Sequence, residues 1–311
     1  MASADPFQAP YVVNVDPPGL PKTVTRLTTE FGSFVYLVGT AHFSRESCED
    51  VATTIDLVRP NVVLLELCTA RTGVVALDES EMLEEAKTMN LQKLRSNIQA
   101  HGFTSGIVSS LLLLLTAHIT KELGMAPGGE FRTAYKHACG IAGCRIVCGD
   151  RPIQITLTRI IRAMSLWQKC KFGWYLLTCR DPISKEDVEK CKDKDLLQQL
   201  LEQFAGEYPE VTEVLVNERD QYLVHSLRKA AQPVHSRLIG GPEPIVVVGV
   251  VGMGHVLGIV SNWDKKIDIK SLVSIPKPSV VGRVISVGIK IGFYGLCIYG
   301  VYRLGKTWKL I

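Results

Sequence analysis

Four short apolar runs punctuate the chain: Phe34 to Val38, Val62 to Leu65, Cys144 to Cys148 and Ile245 to Val250. Runs this short, with little polar alternation, predict strands buried on both faces of a parallel sheet. Between them the period becomes helical. Val51, Ile55 and Val58 make an apolar stripe, opened by Ser47 with Asp50 three residues on and stopped by Pro60. Thr23 to Leu27 alternates, as expected of an edge strand hairpinned through Phe31-Gly32-Ser33 onto the first run. Residues 78–100 predict a solvated outer helix and 103–123, with Leu111 to Leu115 unbroken, a buried one. Pro127-Gly128-Gly129 opens another, with Glu130 at its start, where a carboxylate gains from the helix dipole. Pro152 is placed to begin a further helix. The chain then reads as mostly helical to residue 230, with breaks near Asp181-Pro182 and Gly206 to Pro209. Gly240 to Pro244 predicts a loop, and Ser271 to Ile275 a last edge strand.

Strands alternating with helices predict an α/β domain over residues 23–276, with a mixed, largely parallel central sheet flanked by many helices, after an irregular, Pro-rich segment 1–22. Open α/β sheets bind ligands outside the carboxyl ends of their strands, and charge gathers at those ends here. The first run leads to Gly39-x-x-His42 and the fourth to Gly252-x-x-His255, the same offset. Each histidine alone would serve to satisfy a turn carbonyl; as a pair they can converge on one metal or one substrate. Glu66 tips the second run, where a carboxylate is costly unless paired or functional, and a right-handed crossover predicts this strand beside the first. Asp150 and Arg151 follow the third run. On the helix expected from Val211 to Lys229, Leu215 and Tyr222 mark one side, and Glu218 and Arg219 fall within about 60° of that line. Two charges on a buried arc are either a structural ion pair or part of a site.

Charge changes the picture at one end. The net charge of +4 combines seven basic residues and no acidic ones from Ile269 onward with a body at −3. The body has no basic stripe with interleaved aromatics, which argues against nucleic acid as a partner. Nine scattered cysteines without a C-x-x-C pair suit a reducing compartment; the triplet Cys139, Cys144 and Cys148 has the makings of a metal site, but Cys148 falls in an apolar strand-like run and two packing thiols are the favoured reading. The first ten residues resemble neither a signal peptide nor a transit peptide. From Val284 to Tyr302 the chain is apolar except for Lys290. About 19 such residues suffice to cross a bilayer, so 280–303 is expected to be a transmembrane tail anchor rather than an amphipathic surface helix, with 304–311 a short basic tail. Gly288-x-x-x-Gly292 offers a face for homo-oligomer packing. Moderate hydrophobicity with Arg303, Lys306 and Lys309 flanking suits the mitochondrial outer membrane first and the endoplasmic reticulum second.

Six short stretches, in order, resemble those of the TraB/PrgY/GumN family: GTAHFS at 39–44, the strand ending in Glu66, PGGEFRTA around Glu130, GDR at 149–151, NERD at 217–220 and GMGH at 252–255. The resemblance covers roughly residues 34–260. It implies a fold of the erythromycin esterase and ChaN-like type and a kinship to Tiki-type metalloproteases, whose paired G-x-x-H motifs match His42 and His255. It also implies Glu66, Glu130 and Glu218 as acidic partners, with Asp150, Arg151 and Arg219 completing the charged cluster. The expected arrangement is then a metal-dependent, peptidase-like hydrolase acting on a peptide or small molecule. His42 and His255, with one or two of the three glutamates (Glu130 foremost), would hold a divalent Zn, Mn or Co ion. A remaining glutamate, Glu66 or Glu218, would be the general base, and Arg151 or Arg219 would carry the oxyanion. A metal-free form would use a histidine as base. Tiki-type proteins act outside the cell and this sequence has no evident leader, so an anchored adaptor or contact-site protein is the competing expectation.

Overall fold

The computed structural model describes residues 16–41, 44–76, 128–165, 167, 168, 171, 206, 208–236 and 241–275. The chain divides into two compact units, Met1–Ser274 and Ile275–Ile311. In the first, β1 (Val24–Thr28) hairpins into β2 (Phe34–Thr40), followed by α1 (Arg45–Val58), β3 (Val62–Leu65), a 3-10 turn (Thr69–Arg71) and α2 (Gly73–Ala76). After residue 127 come α3 (Gly129–Cys139), β4 (Arg145–Cys148) and α4 (Ile153–Ala163). The last part holds α5 (Pro209–Thr212), a π-helical turn (Glu213–Asn217), α6 (Glu218–Ala230), β5 (Val234–Ser236), β6 (Gly241–Glu243), β7 (Val246–Gly252), α7 (Met253–Asn262) and α8 (Ile269–Val273).

The main sheet has the order β1-β2-β7-β3-β4, antiparallel only between β1 and β2. This is the mixed, mostly parallel α/β architecture the apolar runs predict. Every residue of β2, β3 and β7 is buried, because helices cover both faces. On one face Val35, Leu37, Val62, Leu64, Val247 and Val251 pack with Leu223 and Leu227 of α6 and Ile259 of α7. On the other, Tyr36, Val38, Val63, Leu65, Val248 and Val250 meet Val51 and Ile55 of α1 and Phe131, Ala134 and Ala138 of α3. Residues one apart point to opposite faces, so each strand feeds both cores.

Several expectations change on contact with the fold. β3 does not lie beside β2: β7 enters between them, pairing Val35 with Val247 on one side and Val62 with Val247 on the other. A strand reading VVVGVVG fits the centre of the sheet better than its rim. β4, expected inside, is an edge strand among the described residues, and Arg145 on it is exposed. The cap of α1 is Ser44, whose side chain accepts the Ser47 N–H, while Ser47 Oγ accepts the Ala41 N–H at 2.9 Å. The expected loop at 240–244 contains β6, paired with β5. The expected strand at 271–275 is the helix α8, because Asp268 accepts from the N–H groups of Lys270 and Ser271 and starts a turn. The helices expected at 78–100 and 103–123 and the span expected at 280–303 lie outside the described residues. Among the described residues no helix is long and apolar enough to cross a membrane.

Candidate active site

Parallel strands with helices returning over them present all their carboxyl ends on one edge. There Glu66 follows β3, Asp150 and Arg151 follow β4, and His255 lies in the first turn of α7 behind β7. Glu66 is fixed at both ends: its N–H donates to Val250 O (3.0 Å), and its Oε2 accepts the Gly252 N–H (2.7 Å). The hub of the edge is Arg219, delivered by α6. Its Nη2 donates to Glu66 Oε1 and to Asp150 Oδ2 (2.9 Å), its Nε donates to Asp150 Oδ1 (3.0 Å), and its Nη1 lies 3.0 Å from His255 Nε2. His255 Nδ1 is 2.6 Å from Asp220 Oδ1, and Nε2 is also 3.2 Å from Glu66 Oε1. A Cβ on Gly258 would land inside the Asp220 carboxylate, so a bare backbone at that position makes room for the Asp220–His255 contact.

Burial lowers the affinity of His255 for its proton, but the hydrogen bonds to Asp220 and Glu66 outweigh it and push the imidazole up to about 9. Burial raises the Asp220 carboxyl, with His255 pulling the other way. Burial disfavours the Arg219 cation, yet Glu66 and Asp150 hold it charged. Charge counting agrees. In the described ion pairs, linked where the Arg151 N–H donates to Asp150 Oδ1 (2.7 Å), four carboxylates (Glu66, Asp150, Glu218, Asp220) stand against three guanidiniums (Arg151, Arg159, Arg219), and a protonated His255 supplies a fourth positive charge. Protonation also selects the partner of Nε2. The imidazolium donates to Glu66, whereas the neutral ring accepts from Arg219.

Of the expected site residues, Glu66, Arg219 and His255 thus come together, with Asp150 among them. Arg151 and Glu218 form the neighbouring network. Arg151 is fully buried, and its guanidinium is committed to Thr156 Oγ1 (3.0 Å), Glu218 Oε2 (2.6 Å), Val214 O (2.9 Å) and Leu272 O (3.1 Å). Glu218 is held ionised: burial raises its pKa, but Arg159 and Arg151 outweigh that. These two charges therefore brace the site. Glu130 is buried in the first turn of α3. Since α3 leads into β4, that turn lies at the carboxyl edge. His42 is outside the described residues. Asp220 closes the NERD stretch but has no role assigned by the sequence, and Arg159 lies outside every motif. Asp220 had a signal, standing three, four and seven residues before Leu223, Val224 and Leu227, the buried stripe of α6. Arg159 gave none.

Among the described residues no group of three or more His, Cys, Asp or Glu side chains is set to hold a metal ion. The donors that converge at the edge (His255 Nε2, Glu66 Oε1 and the Asp150 carboxylate) all face the Arg219 guanidinium. The described set fits an organic cation, and a divalent ion drawing on it would have to displace that side chain.

Residues 24–268 match the TraB/PrgY/gumN family. The chain is 48% identical over 294 residues to a TraB domain-containing protein of Mus musculus and, equally, to one of Homo sapiens, covering 93% of this chain and 78% of each relative. An uncharacterized protein of Methanocaldococcus jannaschii is 30% identical over 278 residues, 85% of this chain and 64% of its own. With that match covering most of its length and two of these relatives nearly half identical to it, the chain belongs to the TraB/PrgY/gumN family.

Proposed function

We propose that this chain is a hydrolase of peptide or related acyl bonds, working by acid–base chemistry at the edge of the sheet and tethered to a membrane by residues 280–303. One observation carries the chemical part: His255 Nε2 and Glu66 Oε1 lie 3.2 Å apart beside Arg219. His255 and Arg219 keep 11% and 14% of their side-chain surface, against 5% for Glu66, 4% for Asp150 and 3% for Asp220, so they are the groups a substrate meets first. Glu66 takes a proton from the attacking water, and Arg219 carries the negative charge that develops on the carbonyl oxygen. The imidazolium gives its Nε2 proton to the leaving group. The proton on Glu66 then crosses to His255 and restores the starting state. Asp220 holds Nδ1 throughout, as carboxylates commonly orient working histidines.

The test uses the full chain in detergent with a mixed peptide library, reading new termini by mass spectrometry. His255→Gln is expected to lower cleavage at least about 100-fold, the range general acid–base groups supply. Identical product patterns from wild type and His255→Gln would sink the reading. Metal content is measured on the same preparation. A stoichiometric ion lost in both His42→Gln and His255→Gln would convert it to the metal-dependent form, with His42, His255 and Glu130 as the holding residues.

The tether rests on the apolar stretch and its basic flank, and the mitochondrial outer membrane is the proposed location. Leu296→Arg with Ile298→Arg adds about 2.5–3.5 kcal/mol of insertion cost per residue and should release the chain on alkaline extraction. A second reading, an anchored adaptor, draws on the full pairing of Arg219 and Arg151 with protein groups, which also describes a purely structural ionic lock. It predicts that the tail variant abolishes cellular function and His255→Gln leaves it intact.

A further inference from the structure

The chemistry above leaves one charged cluster unused, buried at Arg151 and Glu218 and open to solvent where Arg159 meets α8. Arg159 donates from Nε to Glu218 Oε2 (2.7 Å) and from Nη2 to Oε1, while Arg151 grips the same carboxylate. Two guanidiniums on one carboxylate leave an excess positive charge. The last turn of α8 and the residue after it supply part of the complement: Leu272 O accepts from Arg151 Nη1 (3.1 Å), and Ser271 O (3.2 Å) and Ser274 O accept from Arg159 Nη1. Carbonyls at a helix C-terminus lack intrahelical N–H partners and carry partial negative charge, so cations are their natural complement. Further back, Lys265 O accepts from Arg228 Nη1 (3.1 Å) near the other end of α6. The segment from Lys265 to Ser274 is thus a strap laid along α6, tied near its end and at its start. At the start it is bonded to the partners of Glu218, and the next residue is the hub, Arg219.

We propose that residues 271–274 are a latch coupling the chain that leaves this unit at Ser274 to the position of Arg219. Seated, the strap holds both guanidiniums on Glu218 and pins the first turn of α6, which aims Arg219 at Glu66 and Asp150. Drawn away, it strips Arg159 of two acceptors and Arg151 of one, leaving the excess charge to be balanced by the carboxylates that now hold Arg219. Whatever fixes the position of the following segment therefore acts on the hub. That this regulates catalysis rests on the function proposed above; the coupling itself does not.

Hydrogen exchange on the full chain in detergent tests the coupling without a substrate. Arg159→Gln should speed exchange about tenfold both in the strap (269–275) and at the start of α6 (217–221), as local opening of one cooperative unit requires. Arg228→Gln, which frees the other tie, should loosen 263–268 and leave 217–221 unchanged. Because coupling is reciprocal, Arg219→Lys should speed exchange in the strap. The latch is overturned if Arg159→Gln loosens the strap alone, or if Arg228→Gln matches it at 217–221. Should Arg159→Gln not fold, Arg159→Lys, which keeps the charge but cannot bridge, is read the same way. A chain that cleaves nothing yet shows both responses refutes the hydrolase and keeps the latch; the reverse pattern does the opposite.

Discussion

His255 is charged because of where its neighbours stand, and that has a measurable price in alkali. Its folded value of about 9 lies above the ordinary 6.5. Its interactions therefore stabilise the fold fully below about pH 6.5 and are lost as pH rises through about 9. A rise of this size corresponds to about 3 kcal/mol. The stability gap between wild type and His255→Gln in urea should shrink by roughly that amount between about pH 6 and pH 10; a gap independent of pH would show that the imidazole is neutral. Gly258 offers a second check. Glycine to alanine inside a helix ordinarily stabilises by about 0.5–1 kcal/mol. Here the new methyl meets Asp220, and overpacking of that kind costs about 1–3 kcal/mol. Gly258→Ala should thus lower the melting temperature and move the His255 titration, followed by NMR, downward from about 9. At this scale the sequence pointed to Glu66, Arg219 and His255 because strand tips and a buried arc are periodic features. It could not point to Arg159, whose part depends on a long side chain reaching across to a helix more than a hundred residues later.

Elements were legible where one local force dominates and obscure where two compete. β2, β3 and β7 are unbroken apolar runs and have no other way to be buried. Ser44 and Ser47 are equally good caps by composition, and the chain uses one for the helix and the other to hold Ala41. The π-helical turn Glu213–Asn217 breaks the 100° step on which the predicted arc through Leu215 and Tyr222 was drawn. Both residues are only partly buried, and the buried stripe runs through Asp220 instead. The end of α1 carries a strain no pattern reveals: Arg59 closes it in the left-handed region, at φ 45°. Glycine takes that conformation without steric cost. The left-handed conformation costs a non-glycine residue about 1–2 kcal/mol, partly offset by the freedom glycine adds to the unfolded chain, so Arg59→Gly is expected to give a higher urea midpoint with an unchanged slope. A lower midpoint would mean that the Arg59 side chain makes a contact worth more than the strain.

Across the whole molecule, the α/β class was readable because it depends on the alternation of strand and helix, whereas strand order depends on which strands exchange neighbours over long distances. β7 pairs with β2 and β3 across roughly 200 residues of intervening chain. That placement has a consequence for how the protein is made. Until residue 252 has emerged from the ribosome, β2 has only β1 and β3 only β4 beside it, and the apolar edge each keeps for β7 stands open to any passing strand. The half-synthesised polypeptide must be shielded through most of translation, and its keystone is set almost last.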